Sequence, residues 1–183
     1  LVLARNGASV TVLDAGKIGE GASSRNGGMV GPSFHKLGVR GLTQEFGAEK
    51  TNEILRESVG FVDFLKQFLI EENIDADFKQ VGRFRGAMRL DHYDAMAREL
   101  ENLQKSCGVA GHMVSQAQQS EETGSDRFCG GVVYEQDGGL HPAKYHAGLV
   151  QKVKEAGVTL ISETPVLDVE RSHGAYKIHT SRG

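Results

Sequence analysis

Tryptophan is absent from the 183 residues, which decides nothing, but the other scarcities narrow the protein's class. Only two cysteines occur, Cys107 and Cys129, far apart and without CxxC spacing. They read as free or buried thiols of a reducing compartment, and neither a disulfide framework nor a metal site is expected. No apolar run approaches the length that spans a bilayer, so no integral membrane segment is expected. The N-terminus lacks a basic region, apolar core and small-residue cleavage site in that order, which makes the cytoplasm the default location. A net charge of -3 gives a nucleic-acid role no support. An initiating Met is missing as well: the chain opens on LVLARNGASVTVLD and closes on AYKIHTSRG, a strand running into a turn, and reads as an excised piece. What is present, 39% hydrophobic and 25% charged residues, is enough for a real core.

Leu1 to Asn6 reads as the last turns of a helix stopped at Gly7, where glycine takes the left-handed conformation freely. VTVLD, Val10 to Asp14, follows as a short β-branched run ending on an acid, the pattern of a strand buried on both faces of a parallel sheet. Thr43 to Glu72 reads as a long helix or two. Its apolar positions Leu55, Val59, Val62, Leu65 and Leu69 recur every three or four residues, and Phe61, Phe64 and Phe68 widen that face as core packing. VGRFRGAMRL reads as a strand, Asp91 to Ser106 as a helix capped by Asp91, SQAQQSEETGSD as polar surface, and GGVVYEQDGG as a strand and turn. Pro142 opens a helix that Gly157 ends. VTLI is a second buried strand, and TPVLDVE and YKIHT form a hairpin across RSHG. The organisation is α/β at both ends with a more antiparallel insert between them.

Two features carry chemistry. Asp14 ends a strand where an acid of a dinucleotide fold accepts hydrogen bonds from ribose hydroxyls, although acids also end strands without any such role. The glycine fingerprint GxGxxG that accompanies such an acid belongs before Leu1 and is not in this chain. Shortly after Asp14, from Gly19 to Ser33, comes GEGASSRNGGMVGPS, with five glycines in fifteen residues. Bare backbone of this kind lets N–H groups approach a phosphate or a flat heterocycle, and Ser23, Ser24, Arg25 and Asn26 offer donors for pyrophosphate and flavin carbonyls.

At these residues the chain resembles a known family. VTVLDAGKIGEGASSRNGGMV is similar to the second strand and flavin-contacting loop of FAD-dependent oxidoreductases of the D-amino acid oxidase family. Its S-x-N-G-G ending most resembles the gamma-glutamylputrescine oxidases. DGGLHPAKYHAGLVQKVKEAGVTLISETPVLDVE is similar to the family's later segment, in the same order. The resemblance implies a partial Rossmann-like FAD-binding domain in residues 1–76 and 137–183, with a partial antiparallel α+β substrate domain inserted at 77–136. It implies that Asp14 binds the adenosine ribose with Lys17 nearby, and that Ser23 and Ser24 line the pyrophosphate and ribityl chain. Arg25, Asn26, Gly27 and Gly28 then lie along the isoalloxazine. Val166 meets the adenine through its backbone, or is an ordinary strand residue. The loop has no Cys or His from Gly16 to Phe34, so non-covalent FAD is expected, with His35 the nearest residue that could overturn this.

The implied reaction oxidises the carbon–nitrogen bond of an amine or amino acid, with dioxygen or an electron carrier reoxidising the flavin. A homodimer is compatible with such folds. Arg25 and His141 are the candidates for a catalytic role, His141 being otherwise a solvent-exposed or hydrogen-bonded histidine. His141 and His146 are five residues apart and complete no metal site. Arg83 and Arg85 either bind a substrate carboxylate or form a solvated strand face. The rival readings are a nicotinamide-dependent Rossmann reductase and a non-catalytic flavin-binding subunit, and the fragment alone is expected to be inactive.

Overall fold

The computed structural model of the chain describes residues 1–32 and 37–183. In chain order the elements are α1 (Val2–Arg5), β1 (Thr11–Leu13), β2 (Met29–Val30), α2 (Gly38–Glu71), β3 (Arg83–Gly86), α3 (Leu90–Cys107), β4 (Gly111–Val114), α4 (Gln119–Thr123), β5 (Gly131–Tyr134), β6 (Gly138–Gly139), α5 (Pro142–Glu155), β7 (Thr159–Ile161), β8 (Val166–Ser172) and β9 (Ala175–Thr180). They fall into two compact units, one of Leu1–Gly28, Leu69–Asp77 and His141–Gly183, the other of Met29–Phe68 and Phe78–Leu140. No helix among the described residues is long and apolar enough to cross a membrane.

In the first unit β1 and β7 pair in parallel, with Val12 opposite Leu160. The expected burial on both faces is not found: Thr11 and Thr159 are exposed and Val12 is 42% exposed. A parallel pair is enclosed only when further strands and helices flank it, and among the described residues this sheet has two strands. Pro142 does open α5, and His141 precedes it as the cap. The following β8–β9 hairpin closes on His173 and Gly174, both at positive φ, as the tight two-residue turn of a right-twisted hairpin requires. Three contacts tie α5 and α1 to residues 69–77. Lys144 pairs with Asp77 at 2.7 Å, His141 donates its backbone N–H to Ala76 at 2.7 Å, and Arg5 grips the half-hidden Glu72 carboxylate through two nitrogens at 2.5 and 2.7 Å. That guanidinium holds the Glu72 carboxyl below its usual range.

The second unit is built on the antiparallel sheet β3-β5-β4. Its central strand β5 is buried throughout, and α3 covers the sheet with Met96, Leu100 and Leu103, spaced four and three apart. With Leu42, Leu55, Val109, Val132 and Tyr134 they form the core. Helix α2 is two helices merged across Gly47, whose φ of 79° breaks the helical path. Below that kink Leu55, Val62 and Leu65 are buried as expected. Phe61 and Phe64 are not core residues: they are 48% and 64% exposed, because they lie beyond the edge of the stripe that the unit covers.

Three other local expectations change. Helix α3 begins at Leu90 with Arg89 as an extended cap residue. Asp91 lies inside the first turn and pairs with Arg89, which lowers its pKa to about 2. The polar stretch SQAQQSEETGSD contains α4, anchored by buried Gln119, whose amide donates to Gln116 and Phe128 carbonyls at 2.8 Å and accepts from the Phe128 N–H at 2.8 Å. Strand β4 and the short antiparallel pair β2–β6 were not expected at all.

Candidate functional site

Asp14 leaves the end of β1 with its backbone fixed on both sides. Its N–H donates to Ile161 at 2.9 Å, and its carbonyl accepts from Thr164 N–H at 2.9 Å. Two residues on, the Gly16 carbonyl accepts from Glu163 N–H at 2.8 Å. The segment 161–164, which leads into Val166, is thereby laced to the turn after Asp14. Three residues of this arrangement escaped the sequence reading. Glu163 adopts a φ of 52°, Thr164 is buried, and Ser162 accepts the Thr164 hydroxyl at 3.0 Å. Their signal was the polar SETP interruption between two apolar strands. The Asp14 carboxylate itself is half-buried, and Oδ1 accepts the Gly16 N–H at 2.9 Å. Oδ2 has no hydrogen-bond partner among the described residues.

The loop after Asp14 is two successive turns. Glu20 N–H closes the first on Lys17 at 3.0 Å, and Ser24 N–H closes the second on Gly21 at 3.3 Å. The polar side chains divide into those that shape the loop and those that face outward. The Ser24 hydroxyl donates to the Gly19 carbonyl, which cross-links the two turns. Asn26 bridges backwards and forwards, its amide donating to the Ala22 carbonyl and its oxygen accepting from Gly28 N–H, both at 2.9 Å. Lys17, Ser23 and Arg25 are exposed, and Arg25 stands 3.7 Å from Glu20. Gly21 and Gly27 have open space where a Cβ would project. Ser24 and Asn26 thus act as internal braces, and the outward donors are bare backbone, the Lys17 ammonium, the Ser23 hydroxyl and the Arg25 guanidinium. An acid with an unpaired oxygen followed by a braced, bare turn is suited to a ribose and a pyrophosphate, the two parts of a dinucleotide that take an acceptor and N–H donors respectively.

The other candidates are placed as follows. Val166 opens β8 and is half-exposed. His141 caps α5, its Nδ1 accepting the Lys144 N–H at 3.4 Å. His35 lies outside the described residues. In the second unit Arg83 and Arg85 already hold carboxylates. Arg83 reaches Asp137 at 2.7 Å with its guanidinium over the Tyr134 ring, and Arg85 reaches Glu99 at 3.3 Å. Asp137 is 3% exposed, and burial pushes its carboxyl up against the opposing pull of Arg83. That unit also carries an open groove of about 650 Å³ lined by Gly31, Arg56, Gly60, Phe61 and Phe64.

Known proteins place this geometry in context. The family model described as FAD dependent oxidoreductase matches residues 1–183. Among curated relatives, the protein named "Probable oxidoreductase OrdL" of Haemophilus influenzae is 26% identical over 183 residues, covering all of this chain and 42% of its own length. The gamma-glutamylputrescine oxidoreductase of Escherichia coli is 23% identical, again over the whole chain and 42% of its own length. Among solved structures, glycine oxidase of Bacillus cereus superposes with a TM-score of 0.71 at 18% identity, over the whole chain and 47% of that structure, a likeness of fold. This chain therefore spans less than half the length of the relatives it matches, and throughout that span it belongs to the FAD dependent oxidoreductase family.

Proposed function

We propose that the protein carrying this chain is a flavoenzyme that oxidises the carbon–nitrogen bond of an amine or amino acid, with FAD held without a covalent bond. The observation that carries the reading is the braced bare loop attached to Asp14 and laced to residues 163–164. Its family supports the cofactor, and the relatives named for glycine and gamma-glutamylputrescine support the substrate class. In this reading Asp14 accepts from the adenosine ribose, with Lys17 beside it and the Val166 backbone facing the adenine. Backbone N–H groups of residues 21–23 and the Ser23 hydroxyl receive the pyrophosphate and ribityl chain, with Ser24 bracing the turn beside them. Gly27 and Gly28 let the flat ring approach, and Arg25 supplies positive charge at the loop's open edge, an electrostatic contribution suited to an anionic reduced ring. When bound, FAD would supply a two-electron hydride acceptor for the carbon next to nitrogen, which converts the amine to a hydrolysable imine. His141 caps α5 through Nδ1 and is, after Arg25, the second candidate for a catalytic role. Dioxygen or an electron carrier is the oxidant of the reduced enzyme.

The test uses the full-length protein. Under anaerobic conditions a panel of amines and amino acids is added, and bleaching of the flavin band near 450 nm is followed. The reading predicts bleaching by at least one member. A protein that holds flavin but is bleached by none is a non-catalytic flavin-binding subunit. Ser24→Ala and Asn26→Ala decide the remaining rival: both braces are needed for FAD retention here, whereas a nicotinamide-dependent reductase would keep its cofactor.

A further inference from the structure

Helix α5 carries a second histidine that the reading above leaves without a task. His146 lies against the cradle loop: a Cβ added at Gly19 would stand 2.5 Å from its Cε1 and 2.6 Å from its Nδ1. The imidazole edge therefore occupies the space that any side chain at Gly19 would need. Gly19 itself has a φ of +81°, so its backbone crosses the ring in a conformation that glycine alone takes easily. From the other side the Ser24 hydroxyl donates to the Gly19 carbonyl. The first turn of the loop is thus held by a hydrogen bond and by contact with the imidazole edge.

The platform that carries the His146 ring is fixed within the same unit. Besides the Lys144–Asp77 and His141–Ala76 contacts, Gly148 brings α5 so close to Ile74 that a Cβ there would stand 2.5 Å from its Cγ2. His146 and Gly148 are two residues apart and face different neighbours, so α5 joins the loop to the 69–77 segment. Among the described residues the His146 ring has no hydrogen bond or ion pair, and no group of three metal-binding side chains forms. Its contribution is contact.

We infer that His146 is a positioning residue for FAD: its ring props the Lys17–Ser24 turns in the form that presents bare backbone to the pyrophosphate. The inference rests on the FAD reading. It is a matter of preorganisation, since a loop that must be ordered when the ligand arrives binds it more weakly.

The experiment titrates FAD into the apo form of the full-length protein and follows quenching of flavin fluorescence. His146→Ala is expected to raise the Kd for FAD about tenfold, while His146→Phe, which restores an aromatic face without ring nitrogens, is expected to stay within about threefold of the native protein. Gly19→Ala is expected to weaken binding too, and adding His146→Ala to it to recover part of the loss by vacating the space the new methyl needs. Native affinity in His146→Ala, or equal losses in the Ala and Phe variants, overturns the inference. Losses that simply add in the double variant also overturn it. If the native apoprotein takes up no FAD, the cofactor reading itself fails, a result distinct from all of these.

Discussion

At the scale of single residues, two buried carboxylates show how environment decides what a charge does. Glu72 is matched by Arg5, and its lowered pKa stabilises the fold above the unfolded carboxyl value of about 4.3. That contribution is lost as pH falls through the lower folded value. Melting temperatures of native protein and Glu72→Gln should therefore differ most near neutrality and converge under acid conditions, and a gap that stays constant down to pH 3 would contradict the pairing. Asp137 is shifted the other way by burial, and it fills the space beside Gly31: a Cβ added there would stand 2.5 Å from the carboxyl carbon. Gly31→Ala should destabilise by about 1–3 kcal/mol in denaturant unfolding, as overpacking does, and a change of less than about 0.5 kcal/mol would show that the carboxylate moves aside freely. Neither pairing could be read from the sequence, because Arg5 and Glu72, like Gly31 and Asp137, are distant in the chain and are joined only by folding. Asp14 and the loop after it were legible, since their chemistry is local. Even there the sequence did not separate Ser24 and Asn26, which brace the loop, from Ser23 and Arg25, which face outward.

At the scale of elements, legibility followed length and punctuation. Helix α5 declared itself through Pro142 and Gly157, and the β8–β9 hairpin through RSHG, because proline and glycine restrict or release φ in ways that do not depend on the rest of the fold. Strands β2 and β6 are two residues each, and β6 is Gly138–Gly139, so neither carries a period to detect; a Cβ on Gly138 would collide with the Lys79 carbonyl. Strand β4, GHMV, is similarly short. Phe61 and Phe64 were misjudged for another reason: period shows that a helix face is apolar but not how wide a face its neighbours cover. Helix α3 was read to within a residue at each end, and the apolar stripe that the structure shows on it supports a direct test. Leu103 is 0% exposed in the core beneath β5, so Leu103→Ala should cost about 2–5 kcal/mol in two-state unfolding. A cost under about 1 kcal/mol would mean that α3 is not the cover of that sheet.

At the scale of the whole molecule, the chain's exposed apolar surface and its short parallel pair agree with its span of 42% of the curated relatives' length. Val12 is apolar yet 42% exposed, because a β-branched run announces a strand but not how many neighbours cover it. The loop after Asp14 is proposed to hold FAD, and that proposal is open to a direct test. It is tested most directly by purifying the full-length protein, native and as Asp14→Ala, desalting both, denaturing them with acid, and identifying the nucleotide released into the supernatant. Stoichiometric free FAD is expected from the native protein. For Asp14→Ala a loss of about tenfold or more in FAD affinity is expected, the scale of removing a charged hydrogen-bond acceptor. Flavin that stays with the precipitate, a nicotinamide nucleotide in its place, or FAD retained equally by both proteins would contradict the proposal.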